Sequence, residues 1–222
     1  RACIAATTVR RPRREPEPPR RIVTIGTSGV IGGPGGSRSD TRDVSYESPV
    51  YEIERRIGEI QIRRYQPYVV AETRVRGSME GAGNGAFRRL AGYIFGGNRT
   101  ADGEGAKISM TTPVTQERVG DEFRVRFMMP SAYSDVESLP TPNDDRVRLE
   151  RIDEQLLAAI RYSGRWSQAG YERQLKLLRR GLEAHGAVGH GEPIWARYDP
   201  PWKPWFLRHN EVLIPVEAAA AA

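Results

Sequence analysis

Between Val50 and Val216 the chain runs through the same order of segments twice, and this order restricts its fold more than any other feature. In each round β-type runs lead into one helix-type stretch, and two further β-type runs follow. Val50–Arg64 alternates apolar residues on both sides of Gly58, which predicts a strand, a turn and a strand. Tyr68–Arg76 is β-rich through Val69, Val70, Thr73 and Val75. Glu80–Phe95 carries Phe87, Leu90, Ala91 and Ile94 at helical spacing, and Gly96–Gly97 stops it. Lys107–Glu117 and Glu122–Met129 predict two more strands, joined through Gly120. The second round opens with strand-like Val147–Arg151 and Gln155–Tyr162. A helix over Ser167–His185 follows, with Tyr171, Leu175, Leu178 and Leu182 on one stripe, Ser167 as N-cap and Gly186 after its end. Ile194–Tyr198 and Glu211–Val216 predict the last strands. Strands outnumber helices and hairpin-length joins dominate. The expectation is an α+β domain with a curved, largely antiparallel sheet, two helices packed on it and one core. The halves share no strong residue-level repeat, so the duplication is architectural.

The ends of the chain have a different composition. Residues 1–43 hold nine Arg, four Asp or Glu and eleven Gly or Pro, too little apolar surface to offset the entropy of ordering. Their excess of Arg, Ser and Thr reads either as an organellar transit peptide or its remnant, or as a basic linker. The organellar reading favours a plastid over a mitochondrion and leaves a cytoplasmic site open. A net +5 sits in this tail and only +1 in the rest of the chain, which argues against a nucleic-acid-binding body. The domain is expected over residues 44–216, followed by a low-complexity alanine tail over 217–222. No stretch is apolar for long enough to form a membrane-spanning helix.

The residues offer little for catalysis. There is no G-x-S-x-G elbow, no Walker loop and no H-E-x-x-H. The single Cys3 excludes an internal disulfide framework and a cysteine-rich zinc site. Gly81-Ala82-Gly83-Asn84-Gly85 could cradle a phosphate, but it lacks the Lys-Ser/Thr ending of a P-loop and reads better as a flexible helix entry. His185 and His190 lie in a glycine-rich loop, and His209 reads as structural. No catalytic or metal-ligating residue is assigned, and the chain is expected not to be an enzyme. The segment Tyr198–Arg208 says more, with Pro200, Pro201 and Pro204 stiffening a loop that carries Trp202, Trp205 and Phe206. Such rings either wall an apolar pocket for a flat ligand, with Lys203 pairing an acidic group on it, or cover one end of the sheet.

Several segments taken together resemble the SOUL haem-binding protein family. They are Tyr51-Glu52-Ile53-Glu54, Ile62–Tyr68, Phe87 with Tyr93–Asn98, Lys107–Val114, Phe127–Pro130, Tyr198–Pro204 and Arg208–Val212. Each is weak alone; their order across about 170 residues is specific. The resemblance implies a distorted antiparallel β-barrel with two helices, built from two β-α-β-β halves. It also implies non-covalent, non-enzymatic binding of haem or another tetrapyrrole in a shallow apolar groove beside the first helix. Phe87, Ala91 and Ile94 would line that groove. Arg88 and Lys203 would pair the propionates, a task suited to the bidentate donors of Arg. Members proposed to ligate iron through His carry it in the strand position that is Arg64 here, so axial ligation from that position is not expected. The alternative is a structural or assembly subunit of a larger organellar complex, with the fold kept as a scaffold and the tail threading along partners.

Overall fold

The computed structural model describes residues 46–217. The expectations for residues 1–43 and for the terminal alanines therefore fall outside the described residues. Eleven strands and two longer helices follow one another along these residues. They are β1 (Tyr51–Ile57), β2 (Ile60–Tyr65), β3 (Tyr68–Arg76), α1 (Met79–Ile94), β4 (Asn98–Arg99), β5 (Val114–Val119) and β6 (Glu122–Met128). The second half adds β7 (Thr141–Pro142), β8 (Arg148–Ile152), β9 (Gln155–Tyr162), α2 (Gln168–Glu183), β10 (Ile194–Arg197) and β11 (Asn210–Pro215). Nine strands form one sheet in the order β1-β2-β9-β11-β10-β5-β6-β3-β8, and β4 pairs with β7 separately. Every pairing in the large sheet is antiparallel, and the sheet curls strongly into a half-barrel.

The two β-α-β-β halves are β3-α1-β5-β6 and β9-α2-β10-β11. They meet along β5 and β10, where Gln116 faces Trp195 and Val114 faces Arg197. The strand before each half crosses to the other one: β2 pairs with β9, and β8 pairs with β3. The sequence reading contains neither of the two-residue strands β4 and β7, and one expected strand is shorter than read. The expected strand over Lys107–Glu117 begins only at Val114. Pro113 lacks the donor a ladder needs, Lys107 forms a single bridge with Phe95, and the Thr111 hydroxyl donates to the Met128 carbonyl.

Each helix lays its apolar stripe on its own half. Ala86, Leu90, Tyr93 and Ile94 of α1 pack on Val69 and Ala71 of β3 and on Val125 and Phe127 of β6. Leu178 and Leu182 of α2 pack on Ile60, Ile62, Ala158, Ile160 and Ile214. Gly181 lets α2 come this close, since a Cβ there would lie 2.3 Å from Ile60 Cδ1. Both helices start on the capping serine, Ser78 or Ser167, that accepts from the N–H three residues on. On the sheet face away from the helices, strand alternation gathers Arg63, Glu72, Glu117, Arg124, Arg126 and Glu211. Arg63 and Glu211 form a buried bidentate pair at 2.8 and 2.9 Å, and Arg126 bonds Glu72 and Glu150 at 2.9 and 3.1 Å.

Candidate functional site

Helix α1 presents a narrow apolar strip to solvent. Phe87 is 38% exposed and stands edge-on to buried Phe127 at a centroid distance of 5.3 Å. Ala91, one turn on, is half-buried, and Phe95 at the helix end is exposed. Arg88 beside the strip is exposed and makes no hydrogen bond or ion pair among the described residues. These residues give an exposed apolar strip, and Arg88 beside it has no partner among the described residues. That suits a planar ligand carrying a carboxylate.

The other two expected site residues are placed differently. Ile94 is 1% exposed and packs in the core with Ile108 and Leu139, so it backs the strip from below. Lys203 lies in the loop between β10 and β11, where its Nζ is 2.6 Å from Asp199 Oδ1. Arg208 closes the same loop by donating to the Lys203 carbonyl at 2.8 Å, with its guanidinium carbon 4.5 Å from the Trp166 ring. Lys203 thus makes its polar contacts inside its own loop. Two cavities among the described residues lie elsewhere. One of about 240 Å³ lies by Met79, Gln116, Phe123 and Tyr171, and one of about 560 Å³ by Ile62, Leu156, Val188 and His190. Neither is lined by the five expected site residues.

The remaining candidates resolve plainly. Arg64 bonds Glu54 and Glu154 at 2.6 and 2.7 Å. Donating hydrogen bonds to Glu154 and then Glu54 raises its pKa, which keeps the guanidinium charged and leaves no lone pair for iron. His209 stacks on Tyr198 with centroids 4.0 Å apart and bonds Glu211 at 3.1 Å, a structural role. His185 bonds the Gly181 carbonyl at 2.9 Å. Trp202, Trp205 and Phe206 do not cover the end of the sheet: they are 80, 47 and 58% exposed. Among the described residues, no group of three or more His, Cys, Asp and Glu is arranged to hold a metal ion. No helix among them is long and apolar enough to cross a membrane.

Comparison with known proteins decides the family. The profile of the family described as SOUL heme-binding protein matches residues 46–215. The chain belongs to the SOUL family. Heme-binding protein 1 of Mus musculus is 29% identical over 135 residues, covering 57% of this chain and 67% of the mouse protein. Heme-binding protein 1 of Sus scrofa is 25% identical over 130 residues, with the same coverage of 57% and 67%. Among solved structures, the EcmrR C-terminal domain superposes with a TM-score of 0.55 at 10% identity, covering 71% of this SOUL chain and 96% of that domain. A hydrolase from Listeria innocua reaches 0.51 at 11% identity, covering 72% and 92%. At such identities the two likenesses show a shared fold and nothing more. The SOUL match spans both halves of the sheet and the α1 strip.

Proposed function

We propose that the protein binds haem or a related tetrapyrrole without catalysing a reaction, as a carrier or buffer, on the exposed strip of α1. The observation that carries this reading is Phe87, held edge-on against Phe127 in a family of haem-binding proteins, with the free Arg88 next to it. A porphyrin face would lie on Phe87 and Ala91. Arg88 would pair one propionate, and Lys203 could meet another only by leaving Asp199. With Arg64 held by two carboxylates and His209 held by Glu211, the ring is retained without an axial ligand from either residue. The Arg-rich composition of residues 1–43 supports an organellar setting, in a plastid ahead of a mitochondrion.

The test is a titration with ferric haem followed at the Soret band. Wild type should shift the band saturably. Arg88→Ala together with Lys203→Ala should weaken binding about tenfold or less, because an exposed pair contributes about 0–1 kcal/mol. Arg88 should account for most of that loss, since Lys203 already has a partner. Equal affinity in wild type and the double variant removes both cations from the site. Arg64→Ala should leave the haem spectrum unchanged and cost about 1 kcal/mol or less in stability. A shifted spectrum in that variant would put the haem against the Arg64 strand and overturn its placement on α1.

A wild-type protein that gives no saturable Soret change supports the second reading, a structural subunit of a larger complex. One observation favours it: Trp202, Trp205, Phe206 and Leu207 form an exposed apolar patch on a proline-stiffened loop, as a protein partner would require.

A further inference from the structure

The β9–α2 and β10–β11 connections meet at one end of the sheet. Asn210 ties them, its Oδ1 accepting from the Trp166 indole N–H at 2.9 Å and its Nδ2 donating to the Gly164 carbonyl at 3.2 Å. The β10–β11 connection carries Trp202, Trp205, Phe206 and Leu207 in the open, with Trp202 at 80% exposure. On a slack loop such side chains would fold down to escape water. This loop is braced against that. Pro200, Pro201 and Pro204 fix its backbone, and the Lys203 and Leu207 N–H groups close turns on the Pro200 and Pro204 carbonyls at 3.1 and 2.9 Å. Asp199 takes Lys203 at 2.6 Å and also the His209 N–H, while Arg208 donates to the Lys203 and Pro201 carbonyls. The loop's own polar contacts therefore hold the rings out in water.

Charge around the tip is one-sided. From Gln155 to Tyr171 and from Pro200 to Asn210 the sequence has no Asp or Glu, yet it carries Arg161, Arg165, Lys203 and Arg208. Glu80 approaches from α1 but accepts from the Gln168 N–H at 2.8 Å. Asp199 neutralises Lys203, whereas Arg165 and Arg208 have no carboxylate partner among the described residues. Both guanidinium groups lie over indole rings instead, Arg165 over Trp205 at 5.3 Å and Arg208 over Trp166 at 4.5 Å. Tryptophan, phenylalanine and leucine rimmed by arginine suit the boundary between hydrocarbon and phosphate headgroups. The rings enter the acyl boundary and the guanidinium groups stay at headgroup level. A protein partner would need a matching hollow; a lipid interface needs only apolar reach and the right charge.

We propose that the Trp202–Leu207 tip docks the protein peripherally on the surface of an anionic lipid bilayer, with its rings inserted at the interface. The tip shares no residue with the α1 strip and the proposal does not rest on haem binding, so the Soret titration and a vesicle experiment can fail separately.

The full chain without haem is mixed with vesicles of phosphatidylcholine and phosphatidylglycerol, and with vesicles of phosphatidylcholine alone. Co-sedimentation reads partition, and brominated acyl chains, which quench tryptophan in the hydrocarbon, read insertion. Wild type should partition saturably onto the anionic vesicles, be quenched there, and bind neutral vesicles more weakly. Trp202→Ala with Phe206→Ala should weaken partition about tenfold or more. The thermal midpoint should stay unchanged, because both side chains are already exposed. Arg165→Gln should cost about fivefold on anionic vesicles and nothing on neutral ones. A wild type that does not partition overturns the proposal and returns the loop to a protein partner. Partition that survives the aromatic double variant, or that brings no quenching, also overturns it and assigns the binding to the net +5 of residues 1–43.

Discussion

Glu211→Ala should cost about 3–5 kcal/mol, enough to unfold much of the population of a domain of ordinary stability. Glu211 is 2% exposed, the second residue of β11. Its carboxylate takes two bonds from Arg63, one from the Tyr198 hydroxyl and one with His209. Deleting it leaves the Arg63 guanidinium buried with no counter-charge, and that penalty exceeds what the pair itself contributes. Urea denaturation reads the loss directly. Arg63→Met with Glu211→Leu should recover at least half of it, since both charges then leave the interior. A double variant no better than Glu211→Ala would show that shape, not charge, makes the site sensitive. The same group sets an acid limit. Burial alone would push the Glu211 carboxyl up, but hydrogen bonds with His209 and Arg63 outweigh it and hold the pKa at about 2. The folded value lies below the unfolded one. The stabilisation is therefore complete above about pH 4.5 and is lost as the pH falls towards 2. Glu211→Gln should flatten that part of the stability profile.

Leu90→Ala should cost about 2–5 kcal/mol through the cavity it leaves. Leu90 is 0% exposed and sits in the cluster that joins α1 to β3 and β6. Its loss loosens the helix under the proposed ligand, so haem affinity should fall along with the melting temperature. Phe87→Ala is the informative contrast. Phe87 is already 38% exposed, so its removal should cost about 1–2 kcal/mol while taking away the ring on which the porphyrin lies. Affinity lost with the fold nearly intact assigns Phe87 to the site. Affinity unchanged in Phe87→Ala moves the haem away from this strip, whatever Leu90→Ala does.

Much of the local structure is legible in the residues. Tyr68–Arg76 and Gln155–Tyr162 match β3 and β9 end to end: Val69, Val70, Thr73 and Val75 favour the first as a strand, and the apolar run Leu156–Ile160 suits a strand covered on both faces. Ser167 and Gly186 bracket α2 as cap chemistry requires. What the residues do not carry is pairing at a distance. Arg63 and Glu211 stand 148 positions apart, and nothing local marks either as the other's partner. The α1 strip shows the same limit. Phe87, Ala91 and Ile94 share one helix face by spacing, yet Ile94 is covered because the chain folds back over the end of α1. There the Ile108 N–H donates to the Ile94 carbonyl at 2.8 Å, and the Tyr93 hydroxyl reaches the Pro140 carbonyl at 2.9 Å. Gly83 was legible as a glycine-rich helix entry, but the guanidinium it admits comes from Arg197, more than a hundred residues later.

The crossing of β2 and β8 between the halves has a consequence for how the protein is made. When the ribosome has delivered β1 through β6, one edge of β2 still shows a row of bare N–H and C=O groups. Its partner β9 is about a hundred residues further on, Ile60 being opposite Ile160. In the same interval β3 waits for β8, pairing Tyr68 with Ile152. A nascent chain stopped near residue 145 therefore exposes three sticky edges, those of β2, β3 and β5, the last still without β10, and it is at this length that a chaperone or a second nascent copy would find the most to bind.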